Sequence, residues 1–94
     1  MKAPKTIEQA TRNYVETHSD KDREKILKWL TMHGELEEGD IGEIWIVDKP
    51  TGKLQEKDEY CQQWSVGYDG DSFQGYYYHQ FKESSQFLKY EYEC

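Results

Sequence analysis

Twelve of the fourteen aromatic residues in this 94-residue chain fall after Gly34, and aliphatic side chains are scarce throughout. Ile, Leu, Val and Phe together number sixteen, under the share of about one fifth that signals disorder when net charge is high. A folded core must therefore be built largely from rings. Three Trp, eight Tyr and three Phe supply them, each able to bury about 150–250 Å². That suffices for one small domain spanning residues 1–94, with helices over 6–33 and a sheet over 41–93.

The order of elements follows from hydrophobic period. Ile7, Ala10, Tyr14 and Val15 recur at helical spacing and predict a first helix over Thr6–Thr17. Thr6 and Gln9 match a capping box, in which hydroxyl and amide satisfy two orphan backbone donors. His18-Ser19-Asp20 interrupts the pattern. A second helix is expected over Asp20–His33, with Asp20, Asp22 and Glu24 at the positive end of its dipole. Ile26, Leu27, Trp29 and Leu30 form its apolar stripe, and Gly34 suits the left-handed residue that ends it.

From Ile41 the period shortens to two. Strands are expected over Ile41–Asp48, Lys53–Glu56, Glu59–Tyr68, Ser72–Phe81 and Gln86–Glu93, although Asp58–Trp64 also reads as the start of a short helix. Lys49-Pro50-Thr51-Gly52 and Asp69-Gly70-Asp71 have the chemistry of turns. The expected class is α+β: an N-terminal helical hairpin packed on one face of a four- to five-stranded antiparallel sheet.

Alternation then sorts the strand residues by face. Ile44 and Ile46 oppose Trp45 and Val47; Phe73, Tyr77 and Phe81 oppose Tyr76 and Tyr78. Both faces carry apolar groups. Two helices of this length reach about 20 Å and can cover only one of them. Trp45, Tyr76 and Tyr78 are thus the candidate anchors of a binding face, since stiff rings with polar tips are favoured at interfaces. The ordinary alternative is that these are half-buried strand residues, which strands favour in any case.

Charge is also uneven. The net charge is −7. Residues 1–34 contribute +2 and the remainder −9. So acidic a sheet half repels phosphate backbones, which argues against direct nucleic-acid binding. It attracts a basic surface. Glu37, Glu38, Asp69 and Asp71 are the candidate charge partners; the plainer reading of such loop acids is a solvated rim.

Catalytic signals are weak. Cys61, Cys94 and the three histidines lack zinc-site spacing, so no metal or cofactor is expected. No Gly-rich phosphate loop or nucleophile elbow occurs. His79 beside acids is a conceivable base, but nucleophilic catalysis also needs a nucleophile and an orienting group held with it, and no motif supplies them. The chain has no apolar run long enough to span a bilayer. It opens on Met1-Lys2-Ala3-Pro4-Lys5 without an apolar segment, so no secretory signal is expected and the location expected is cytoplasmic, with reduced thiols.

These features favour a non-enzymatic protein-interaction module that meets a basic protein surface, or a second copy of itself, through the sheet. In size, acidity and lack of catalytic motifs the chain resembles small phage-encoded inhibitors, including anti-restriction and anti-CRISPR proteins. The resemblance is one of composition and implies an inhibitor of a nucleic-acid-binding protein without assigning residue roles. Two other classes stand beside it. One is a small-ligand binder or minor enzyme with Trp45, Trp64, Tyr78 and His79 lining an aromatic pocket. The other is a structural subunit of a larger assembly.

Overall fold

The computed structural model describes residues 2–32, 37–50, 54–57, 62–69 and 72–93, with side chains over 2–32, 37–50 and 75–92. Helix α1 spans Lys5–Thr17 and α2 spans Asp20–Met32. A 3₁₀ turn at Glu38–Asp40 leads into β1, Ile41–Val47. Strands β2, Leu54–Lys57, β3, Gln62–Asp69, β4, Ser72–Gln80, and β5, Phe87–Glu93, follow. Thus Gln62–Trp64 is strand rather than helix. Gly34, the expected helix terminator, and Cys61, Gly70, Asp71 and Cys94 lie outside the described residues.

The fold is α+β, with both helices packed on a small antiparallel sheet. Side chains are described on three of its strands: β1 pairs with β5, and β5 with β4. Backbone pairing continues the order outward from β4 through β3 to β2. Residue Ala3 joins the far end of β4 by a parallel bridge to Phe81. Its N–H donates to the Gln80 carbonyl at 2.8 Å, and its own carbonyl accepts from Lys82 N–H at 2.8 Å.

That bridge alters how α1 begins. The helix starts at Lys5 with Pro4 as its N-cap, and no side chain caps it. The Thr6–Gln9 capping box is therefore not formed. Pro4 takes the extended conformation of an N-cap, φ −72° and ψ 167°, and the Ala3 bridge sets the approach two residues earlier than a Thr6 cap would. The Pro4 carbonyl accepts from Ile7 N–H and Glu8 N–H, each at 3.0 Å.

The core lies between the helices and one sheet face. Ile7, Ala10, Tyr14, Ile26 and Leu30 meet Ile41, Ile44, Phe81, Leu88, Tyr90 and Tyr92 there. Each large apolar chain buried this way stabilises the fold by about 1.5–3 kcal/mol. Val15, expected in the stripe, is 39% exposed, while Thr11 is fully buried. Thr11 stands closer to the centre of the Ile7–Tyr14 stripe at 100° per residue. Burial of its hydroxyl is tolerated because Oγ1 donates to the Ile7 carbonyl at 2.7 Å.

Two arginines fasten helices to the sheet. Arg12 in α1 donates to Glu8 Oε2 through Nε at 3.0 Å and Nη2 at 2.8 Å. Its Nη2 also reaches Gln86 Oε1 at 2.9 Å, ahead of β5. Arg23 in α2 donates through Nη2 to the carbonyls of Ile41, at 3.1 Å, and Gly42, at 2.9 Å. The β1 register shifts between Ile41 and Ile44, so Arg23 holds carbonyls at the irregular start of that strand.

Candidate binding face

Leu88, Tyr90 and Tyr92 point to the helices, so the intervening Phe87, Lys89 and Glu91 point away. Trp45 and Tyr78 are the register partners of Lys89 on either side. The result is a row across three strands, Trp45–Lys89–Tyr78, on the face the helices leave open. Tyr76 stands two residues from Tyr78 along β4 and shares that face. Its ring centroid is 6.2 Å from that of Trp45.

Lys89 sits among these rings. Its Nζ lies 4.4 Å from the Tyr76 centroid, 5.1 Å from Trp45 and 5.8 Å from Tyr78. All three distances fall within the reach of a cation–π interaction, worth roughly 0.5–1 kcal/mol each where water has access. Trp45, Tyr76 and Lys89 are half-buried. Tyr78, expected as a third exposed anchor, is only 1% exposed. It forms a wall of the cluster rather than a surface contact.

Of the acidic candidates, Glu37 and Glu38 stand apart from the rings. Glu37 and Glu38 are exposed at the 3₁₀ turn before β1, where Glu37 N–H donates to Asp40 Oδ2 at 3.2 Å. Five residues of extended chain from Asp40 to Trp45 cover about 16 Å. At the other end of β1, exposed Asp48 accepts from Gln86 Nε2 at 3.0 Å. Asp69 ends β3 with its backbone paired to Ser72. The side chain of Asp69, and Asp71 as a whole, lie outside the described residues, while Glu37 and Glu38 flank the face. Glu91, an acid not among those four candidates, is exposed on the same strand face as Lys89, two residues away.

The alternative pocket is not assembled from the described side chains. His79 points opposite to Tyr78 and is buried beneath the helices. Its ring is 5.1 Å from Trp29, edge to face, and 5.9 Å from Tyr90, stacked. Adjacent strand residues cannot line one pocket when the sheet runs between them. Trp64 pairs with Tyr76 in backbone register. Among the described residues no group of three or more His, Cys, Asp or Glu is placed to hold a metal ion. No helix among them is long and apolar enough to cross a membrane.

The described cluster can therefore stack on flat groups and attract cations. Sequence alternation finds Trp45 and Tyr76; it does not find Lys89, whose role depends on the β1–β5–β4 register. The only local hint is a lysine between apolar and aromatic neighbours, Leu88 and Tyr90. No protein-family model matches the chain, and no curated protein or solved structure matches it.

Proposed function

We propose that the chain is a small, non-enzymatic interaction module that docks onto a basic surface of another protein through the open sheet face. Its sharpest form is an inhibitor that occupies a surface otherwise used for nucleic acid, acting in the cytoplasm. The observation that carries this reading is the pair Trp45 and Tyr76, 6.2 Å apart and half-buried on the face opposite the helices. Interface energy concentrates in stiff rings of this kind. The acids Glu37, Glu38, Asp69 and Asp71, with a net charge of −7, supply steering toward positive partners and repulsion from phosphates. Docking uses a sheet four to five strands wide, with Trp45 on its edge strand β1 and Tyr76 further in on β4.

Affinity capture from host extract with the wild-type chain and with Trp45→Ala tests it. A partner retained by the first and lost by the second is expected, because truncating a central anchor costs about 2 kcal/mol or more. With that partner purified, affinity should fall about tenfold from low to moderate salt, and its nucleic-acid binding should be blocked. Capture that ignores Trp45 overturns docking through this face. Salt-insensitive binding, or a partner still able to bind nucleic acid, overturns the charge-driven inhibitor.

A further inference from the structure

Resting on that docking reading, we infer that the Trp45–Tyr76–Tyr78 ring set is a recognition cage for an arginine side chain of the partner, and that Lys89 is its resident occupant, displaced on binding. The chain itself shows what the cage accepts. An ammonium already stands 4.4–5.8 Å from three ring centroids drawn from two strands. Tyr78, buried at 1%, forms a fixed wall, whereas Trp45 and Tyr76 are half-buried and reachable from solvent.

Exchange favours arginine over the lysine it replaces. A guanidinium is planar, stacks on ring faces and is more weakly hydrated than an ammonium, so it loses less on leaving water. The displaced Lys89 returns its ammonium to water, with the exposed carboxylate of Glu91 two residues along the same strand face. The net charge of −7 favours the entry of a further cation. Because Lys89 competes for the same rings, arginine affinity is reduced by the fraction of time the cage is filled from within. The lysine thereby sets a threshold that an isolated cation passes poorly and an arginine presented by a docked partner passes well.

Titration with N-acetyl-arginine methylamide, followed by NMR, isolates the cage from any partner. The lysine and citrulline analogues serve as comparators. In the wild type, the Lys89 side-chain methylene resonances, shifted by the surrounding rings, are expected to move toward ordinary lysine values as arginine saturates. Lys89→Met should keep the folded spectrum and bind the arginine probe about tenfold more tightly. Adding Trp45→Leu to that variant should abolish binding, and the uncharged citrulline probe should bind neither protein. Lys89 resonances that stay fixed at saturating arginine overturn the inference, as does a folded Lys89→Met that gains no affinity. If the cage fails this test while partner capture still depends on Trp45, docking stands without the cage. If arginine enters the cage while capture ignores Trp45, the cage stands and the docking reading falls.

Discussion

Gly75 shows how a ring-built core limits single residues. It lies in β4 opposite Tyr92 in β5. A Cβ placed on it would stand 2.9 Å from both Cε1 and Oη of Tyr92. Glycine in a strand interior ordinarily costs about 0.5–1 kcal/mol relative to alanine, so Gly75→Ala at an open site would stabilise. Here Tyr92 is 1% exposed and 4.6 Å from Tyr77, with little room to yield. Overpacking of about 1–3 kcal/mol should win, and the urea midpoint should fall. A raised midpoint would mean that Tyr92 can turn aside. His18 presents the opposite case. It ends α1 at φ 55°, a left-handed conformation that glycine adopts without strain. His18→Gly should gain about 1 kcal/mol in chemical unfolding; a loss would show that the ring contact with Tyr14, at 5.1 Å, outweighs the strain.

At the scale of elements, the helices and strand faces are legible in the sequence because they depend on period alone. Ile26 and Leu30 are buried where the stripe in α2 places them, and Trp45 and Tyr76 share a face as alternation requires. What depends on contact between distant segments is not legible. The start of α1 follows from the Ala3 bridge to Phe81, a partner almost a chain length away. The candidate site is half-readable for the same reason: Tyr76 and Tyr78 have equal parity, yet one is half-buried and the other sealed, and Lys89 joins them only through strand register. Arg23 belongs to this class. It contacts the Ile41 and Gly42 carbonyls at the irregular start of β1, and its Nη1 donates to Tyr14 Oη at 3.3 Å, linking both helices to the sheet. Arg23→Met keeps the stem and removes the donors, so it should destabilise by about 1.5–3 kcal/mol. Arg23→Lys, which cannot match the fork, should recover only part. Thermal unfolding of both variants checks this; equal melting of Arg23→Met and wild type would reduce the arginine to a surface contact.

Over the whole molecule, the question is what covers the second sheet face. A two-fold dimer brings the same patch of each protomer together. Through this face it would set Lys89 near its symmetry mate, crowd two acidic rims, and join two chains of charge −7. Those terms oppose self-association in low salt, where the Debye length is about 30 Å. Light scattering at low ionic strength should therefore report a monomer of 11.3 kDa. Raising salt toward about 1 M shortens the screening length to about 3 Å and removes the repulsion. Any dimer that the rings favour should appear there first, and Trp45→Ala should abolish it. A dimer already formed in low salt would mean that ring burial exceeds the repulsion, that the face is satisfied by its own copy, and that a foreign basic surface must compete with an existing interface. A monomer at low salt leaves Trp45 and Tyr76 half-exposed under the condition in which attraction to an oppositely charged partner is strongest.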